Sequence, residues 1–367
     1  GRKSIMEIWT WLEKHYNQLY TQQVADNNKN NSAKAIVQWL LKHKHNHVLI
    51  DLIHTCGHDF LSQEEYKATL KQLIFSLYEE DKLTCLIMSQ DYLKEFPECI
   101  SILQVQGFCA LMQDKFALAY EVFNTLVTLV PDYDVYHLLL IVSARASEQM
   151  SNVMDSVKKI NQSDTCNLIT QKVILNFSEE AYDSYKALVT HHGIATVTEI
   201  KPQPQLQKYR QALVYCPVDL VLNPSDPSTS FTVVDSTSSG VKALKVLNEE
   251  PYVFFTLQGV NPDSLAPLSV FCDIFDLGST MINAELAITP SKRHLPEFLA
   301  GFVMGFAGRK TTKLTDLHDW LQRFSDSQEH PLVWLDLLKQ LDSSNPNIAK
   351  QIEKQEIVVS TYCLEDY

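Results

Sequence analysis

The sequence has no long apolar run, and acidic residues outnumber basic ones. Its longest apolar run, residues 298–307, is much shorter than the roughly 20 residues that a helix needs to cross a bilayer, so no membrane span is predicted. The 31 lysines and arginines stand against 44 aspartates and glutamates, which gives a formal net charge of −13. Nucleic acids and anionic membranes attract concentrated positive charge, so neither is predicted as the main partner.

The motifs of several enzyme classes are missing. The chain has no Gly-x-Ser-x-Gly nucleophile motif, no glycine-rich dinucleotide fingerprint and no His-Glu-x-x-His zinc motif. Residues 301–312 share glycines with phosphate-binding loops, but Arg309 interrupts the Gly-Lys-Ser/Thr sequence, and the preceding residues are typical of a helix. Because active sites also assemble from distant residues, these absences leave an enzyme open as an alternative.

Histidines form the richest polar cluster. His43 and His47, like His54 and His58, are four residues apart and would share one face of a helix, which is the spacing of many metal sites. Cys56 beside them is a candidate nucleophile. Neither pair belongs to a complete ligand set, and such sites also need partners that orient the ligands. We therefore predict no metal site, no cofactor and no catalytic residue.

The eight cysteines lack paired spacing. Cys85 and Cys109 lie in apolar patterns of helical period, as reduced core thiols do. The first residues (GRKSIM) include no apolar stretch of the kind that a secretion signal has. These observations together predict a cytoplasmic protein with reduced cysteines.

Apolar residues recur at helical spacing near the start of the chain. The pattern predicts helices over 4–25, 33–43, 47–56 and 62–79, with Gly57 as a terminator. Ser62 and Glu65 have the spacing of a capping box, in which each side chain bonds the backbone N–H of the other residue.

One stretch, residues 100–131, has the pattern of two short helices joined by a tight turn and closed by a proline. Gly107 and Ala119 are small enough for the two helices to approach closely, and Phe116 and Phe123 would fill the gap between them. This stretch resembles a tetratricopeptide (TPR) repeat, a helix–turn–helix module of 34 residues that holds other protein chains.

The neighbouring stretches, 66–97 and 134–165, match the repeat less closely. The positions that correspond to the two small residues are Leu73 and Cys85 in the first and Ile141 and Val153 in the second. A further helical pair, 167–176 and 178–190, would continue the stack. Such repeats bury their apolar faces against one another, so three or more units are physically coherent.

The resemblance also implies a binding surface. In TPR proteins the first helix of each repeat lines a concave groove, which places partner-binding residues of the clear repeat at Ser101, Gln104, Phe108, Leu111 and Met112. Some TPR proteins hold a terminal carboxylate there with Lys, Arg and Asn, and those residues are absent from these positions. An apolar groove that contains methionine suits an amphipathic helix or an extended apolar peptide, as in TPR-containing bacterial secretion chaperones. The same pattern fits packing against the protein's own helices or its C-terminal domain equally well.

After residue 192 the sequence changes to short, β-branched, alternating segments. The predicted strands are 195–200, 212–215, 231–234, 243–247, 252–257, 270–275 and 283–288. The predicted helices are 295–307, 314–324, 331–342 and 346–354. The tail, 356–367, has a strand-like core and an acidic end. Strands followed by helices indicate an α+β domain rather than alternating βαβ units.

The predicted fold is an N-terminal TPR-like α-solenoid over residues 1–192, followed by a mixed α+β domain over residues 193–367. The predicted function is non-catalytic protein–protein interaction, as a scaffold, adaptor or secretion-type chaperone. Two alternatives remain open. One is a bacterial effector-type enzyme with its active site in the C-terminal domain and repeats that select the substrate; the other is a structural subunit of a larger assembly.

Overall fold

The structure is a computed structural model. It describes residues 5–18, 33–164, 171–223, 228–234, 240–248, 252–288 and 299–367. Helices come first along the chain and a sheet-rich α+β region follows, which confirms the predicted order of structural classes.

The chain divides into two compact units, which we call the helical unit and the sheet unit. The helical unit comprises residues 1–169 and 216–234, and the sheet unit comprises residues 170–215 and 235–367. This division differs from the single boundary expected at residue 192. Strands begin earlier than the sequence pattern indicated, and a short segment from the second half of the chain belongs to the helical unit.

The described helices of the helical unit are α1 (Ile5–His15), α2 (Ala33–Lys42), α3 (Asn46–Phe60), α4 (Gln63–Glu80), α5 (Lys82–Glu95), α6 (Ile100–Met112), α7 (Phe116–Leu129), α8 (Asp134–Ala146) and α9 (Met154–Asn161). From α4 onward each helix packs against the next one in the chain, and α4 also packs against α6. Residues 19–25 of the first predicted helix lie outside the described residues.

The start of α4 confirms the predicted capping box. The Ser62 hydroxyl accepts the Glu65 backbone N–H at 3.2 Å, and the Glu65 carboxylate accepts the Ser62 N–H at 3.3 Å. The prediction that Gly57 ends the preceding helix is confirmed in part. Helix α3 bends at Cys56, whose backbone is not helical, and then continues to Phe60.

The turns inside two successive helix pairs share one geometry. Asp114 and Glu148 lie 34 positions apart and both have left-handed backbone, with φ of 61° and 60°. The backbone N–H of the next residue donates a hydrogen bond to a carbonyl near the end of the preceding helix. Lys115 donates to the Ala110 carbonyl at 2.9 Å, and Gln149 donates to the Ala144 carbonyl at 2.8 Å. Such bonds satisfy carbonyl groups that the helix end leaves unpaired.

Helices α6 and α7 meet at Gly107, as predicted. A Cβ atom at this glycine would lie 2.9 Å from Cζ of Phe123 and 3.0 Å from Cγ1 of Val122, which is closer than carbon atoms pack. Ala119 and Phe123 are buried in this contact, whereas Phe116 is only half-buried. The small residue therefore permits the close approach of the two helices.

The helical unit also contains a β-hairpin. Strands β5 (Val218–Asn223) and β6 (Ser228–Val233) pair antiparallel, with Leu220 opposite Phe231. The hairpin lies in sequence between two strands of the sheet unit, yet its compact neighbours are the helices. The sequence patterns predicted only part of it, as a strand over 231–234.

The sheet unit begins with a closed barrel of five strands. These are β1 (Lys172–Asn176), β2 (Ser184–His191), β3 (Ile194–Val197), β4 (Ala212–Tyr215) and β7 (Val241–Asn248). Neighbouring strands pair antiparallel, and a short parallel pairing of β1 with β7 closes the barrel. The helical pair predicted over 167–190 is wrong where the structure describes it, because β1 and β2 alternate buried and less buried side chains, as strands do.

A second sheet has the strand order β8 (Tyr252–Val260), β10 (Leu299–Arg309), β9 (Gly278–Ile288), with antiparallel pairing throughout. Its helices are α10 (Ala266–Phe275), α11 (Leu314–Asp326), α12 (Leu335–Leu338) and α13 (Pro346–Tyr362). The sheet and helices share a core rich in aromatic side chains, among them Phe255, Phe271, Phe302, Phe306 and Trp334.

Three predictions for this region are wrong. Residues 270–275 belong to helix α10 rather than a strand, and residues 299–307 belong to strand β10 rather than a helix. The tail forms helix α13 as far as Tyr362 instead of a strand. A Cβ atom at Gly308 would lie 2.4 Å from Cδ2 of Leu277, so this glycine leaves room for the Leu277 side chain.

Asp336, in α12, is a half-buried carboxylate. Its oxygens accept hydrogen bonds from the Thr256 backbone N–H, the Thr256 hydroxyl and the Leu337 backbone N–H, each at 2.9 Å. Burial raises the pKa of this carboxyl, although the three donors favour its charged form. The folded chain therefore binds a proton at Asp336 more readily than the unfolded chain does.

We expect Asp336→Asn to change how stability depends on pH. Because the folded-state pKa is the higher one, the free energy of unfolding of the wild type falls as pH rises above about 4, where an unperturbed aspartate titrates. The variant lacks this loss, so its stability relative to the wild type should increase with pH in urea unfolding curves. Asp342→Asn is the control with the opposite sign, because hydrogen bonds from Ser344 lower the pKa of that exposed carboxyl. A relative stability of Asp336→Asn that is independent of pH would contradict the account.

Candidate functional site

The five residues predicted to line a groove lie on α6, and most of them are buried by other parts of the protein. Gln104, Phe108 and Leu111 are buried, whereas Ser101 and Met112 are half-buried. Helix α6 packs against α5 and α7, and the hairpin β5–β6 also packs against it. The face for which we predicted a partner is thus in contact with a segment of the same chain.

The hairpin has one apolar face and one polar face. Because side chains alternate along a strand, Val218, Leu220 and Leu222 share a face with Thr229 and Phe231 of the opposite strand. On this face Val218 and Leu220 are buried, Leu222, Thr229 and Phe231 are partly buried, and Val233, which pairs with Val218, is exposed. The opposite face is exposed and carries Asp219, Val221, Asn223, Ser230 and Thr232.

Phe231 is the aromatic anchor of the hairpin. Its ring centroid lies 6.0 Å from that of Phe108 on α6 and 6.4 Å from that of Tyr136 on α8, where the rings meet edge to face. The Phe108 ring in turn lies 6.5 Å from that of Tyr78 on α4. Each aromatic pair of this kind contributes about 0.5–1.5 kcal/mol beyond the burial of its surface. Rings from two helices therefore meet the hairpin phenylalanine, and Tyr78 from a third helix packs against one of them.

A chain of hydrogen bonds runs beside the aromatic contact. The Thr229 hydroxyl donates to the side-chain carbonyl of Gln104, and the Gln104 amide donates to the Tyr136 hydroxyl. Gln104 is buried, and a buried amide that lacks partners costs about 1–3 kcal/mol. The hairpin thus supplies the hydrogen-bond donor for the side-chain carbonyl of Gln104, a buried polar group on α6.

The two tyrosine side chains around Phe108 are uncharged at neutral pH, and the Lys82 ammonium lies 4.0 Å from the centroid of the Tyr78 ring. Burial raises the pKa of the Tyr78 hydroxyl, and the nearby carboxylate of Asp219 raises it further. Burial likewise raises the pKa of the Tyr136 hydroxyl. Both groups stay protonated at neutral pH. We call the surface formed by Tyr78, Gln104, Phe108 and Tyr136 the aromatic groove.

Sequence reasoning found two of these four residues. Gln104 and Phe108 were predicted from their place on the first helix of the repeat, whereas Tyr78 and Tyr136 were missed. The signal for the hairpin was also present, because Val218-x-Leu220-x-Leu222 alternates as a half-buried strand does.

The histidine cluster does not form a metal centre in the part of the chain that the structure describes. No three His, Cys, Asp or Glu side chains there lie close enough to hold an ion. The rings of His43 and His45 pack against Trp39, at 4.8 and 5.3 Å between centroids. His47 pairs with Asp81 at 3.7 Å, and the Cys56 thiol donates to a carbonyl of its own helix.

The sheet unit offers two surface cavities. One, of about 510 Å³, is lined by four apolar residues and by Lys172, Lys186 and Thr198. The other, of about 490 Å³, lies along α13 and is lined by Glu353 and Glu356. Neither is lined by histidine or cysteine. Asp276 pairs with Arg210 and Arg309, and the Arg210 guanidinium lowers the pKa of its carboxyl.

No model of a known protein family, no curated protein and no solved structure matches this chain. Among the described residues, every helix is too short or too polar to cross a membrane. The function proposed below is therefore argued from the geometry of the aromatic groove.

Proposed function

We propose that the helical unit is a TPR-like α-solenoid whose aromatic groove binds an extended, apolar segment of another protein. The protein would then act as a non-catalytic interaction module, as an adaptor or a chaperone does. The observation that carries the proposal is the seated hairpin: the groove accepts an extended segment through one aromatic anchor and one hydrogen-bonded hydroxyl.

The 34-residue spacing supports the repeat part of the proposal. The residues at the two small-residue positions of the repeat are buried in all three pairs of helices: Leu73, Gly107 and Ile141 at the first position, and Cys85, Ala119 and Val153 at the second. The left-handed turns at Asp114 and Glu148 recur at the same interval. A repeated fold built from one module accounts for the equal burial and the equal turns.

A display selection tests the proposal. A library of random 12-residue peptides is panned against the full chain and against its Phe231→Ser variant, in which the hairpin loses its anchor. We expect enrichment of peptides rich in aromatic and aliphatic residues, because the side chains that meet Phe231 are the aromatic rings of Phe108 and Tyr136. Binding of the enriched peptides should weaken about tenfold or more, which is about 1.4 kcal/mol, when Met112→Glu places a charge on the groove side of α6.

Asn124→Glu is the matched control, because it adds the same charge at an exposed position on α7. It should leave peptide binding unchanged. The proposal is wrong if neither protein enriches any peptide, or if the enriched peptides bind Met112→Glu as tightly as Asn124→Glu.

A further inference from the structure

We propose that the hairpin β5–β6 is a built-in copy of the element by which the partner binds. The partner segment would carry a serine or threonine two positions before an aromatic residue, in an extended conformation. The inference depends on the proposed function of the aromatic groove, and it adds the chemistry of the ligand and the reason why the groove is closed in the free protein.

The spacing of the recognition element follows from strand geometry. Successive side chains of a strand point to opposite faces, so Thr229 and Phe231 point the same way and Ser230 points away. The hydroxyl meets Gln104 while the ring enters the gap between Phe108 and Tyr136. Any peptide that makes both contacts in an extended conformation needs the same interval between its hydroxyl and its ring.

The groove distinguishes this element from a purely apolar one. A ligand without the hydroxyl would bury the Gln104 side-chain carbonyl without its donor, which costs about 1–3 kcal/mol. That energy corresponds to roughly 5- to 150-fold in affinity. The hydroxyl therefore selects among peptides that all carry an aromatic anchor.

The hairpin is suited to being displaced. A two-stranded hairpin is at best marginally stable in water when nothing covers its apolar face. Its outer face is exposed, including Val221, and in the described residues no ion pair ties the hairpin to the helices. A segment of the partner that makes the same contacts competes with it directly.

Competition by a tethered segment lowers the apparent affinity of the partner. If the open groove makes up about 1% of the molecules, an external peptide binds about 100-fold more weakly than it binds a permanently open groove. Substitutions that release the hairpin should recover most of this factor. The wild type should therefore bind poorly, and a variant with a weakened hairpin should bind well.

The experiment uses a fluorescent synthetic peptide of residues 217–234 and the full chain, with affinity measured by anisotropy. We expect Phe231→Ser to bind this peptide at least tenfold more tightly than the wild type does. Thr229→Ala, a milder change that keeps the anchor, should give a smaller gain. Thr232→Ser lies on the exposed face and should behave as the wild type. Circular dichroism shows whether each variant keeps its helices.

A second set of measurements changes the peptide instead of the protein. Peptides with alanine in place of Thr229, or with serine in place of Phe231, should bind the Phe231→Ser chain at least fivefold more weakly than the unchanged peptide. Equal binding of the unchanged peptide by the wild type and by both released variants would overturn the inference, as would equal binding of the three peptides. If Phe231→Ser loses its helices, the comparison of Thr229→Ala with Thr232→Ser decides the matter.

The outcome also separates this inference from the proposed function. If Met112→Glu weakens binding of the display-selected peptides but the hairpin peptide does not compete with them, the proposed function is supported. The inference that the hairpin copies the partner's binding element is then wrong. If no peptide of any sequence binds a released variant that keeps its helices, both proposals are wrong.

Discussion

Gly107→Val is expected to lower the free energy of unfolding of the helical unit by about 3 kcal/mol or more. A Cβ atom at this position already lies 2.9 Å from the Phe123 ring, and valine adds two further carbons in the same place. Overpacking of a core contact costs about 1–3 kcal/mol and occasionally more, which outweighs the few tenths of a kcal/mol of helix propensity that valine gains over glycine. Urea unfolding followed by circular dichroism at the helical band measures the change.

A double-mutant cycle shows whether the clash is the cause. Gly107→Ala gains about 1 kcal/mol of helix propensity but places its Cβ against Phe123. If the ring is what the new atom meets, Gly107→Ala should be tolerated better in a Phe123→Leu background than in the wild type, by about 1 kcal/mol or more. A Gly107→Val variant as stable as the wild type, or additive effects in the cycle, would show that α6 and α7 do not meet at this glycine.

The contact between α6 and α7 at Gly107 was predictable because the residues that form it are close together in the sequence. Gly107, Ala119 and Phe123 lie within 17 residues of one another, and helical spacing alone places them between two adjacent helices. The Ser62–Glu65 capping box was predictable for the same reason. A pattern that begins and ends within one pair of helices can be read without knowing the rest of the fold.

The occupant of the groove was not predictable in this way. Thr229 and Gln104 are 125 positions apart, and no local pattern specifies a contact over that separation. Strand β5 is also short and ends at Asn223, the first residue of an Asn-Pro turn signal, and no strand was predicted for its six residues. The sequence could show that α6 carries an apolar face, but not what covers that face.

Strand β10 shows a different limit. It lies between β8 and β9, and most of its side chains are buried on both faces, so its residues form a continuous apolar run. Such a run lacks the alternation of a half-buried strand and cannot be distinguished from a buried helix by periodicity. The glycines within this run, at 301, 305 and 308, admit side chains from neighbouring elements.

Trp334→Ala is expected to be the most damaging single substitution in the sheet unit. Trp334 is 1% exposed, and it packs in the core with Phe255 and Phe306 of the sheet. Its indole N–H donates to Nδ1 of His318 at 3.0 Å. Removal of a buried tryptophan side chain leaves a cavity and costs about 3–5 kcal/mol.

Trp334→Phe separates the hydrogen bond from the packing. Burial lowers the pKa of His318, so the ring is neutral and its Nδ1 accepts the indole proton. Phenylalanine keeps much of the volume but leaves that nitrogen without its donor, which costs about 1–3 kcal/mol, so this variant should lie between the wild type and Trp334→Ala. Calorimetry orders the three proteins. Because Trp334 belongs to the sheet unit, the melting temperature of the helical unit should not change. If the sheet unit of Trp334→Ala melts at the same temperature as that of the wild type, Trp334 does not occupy a core position.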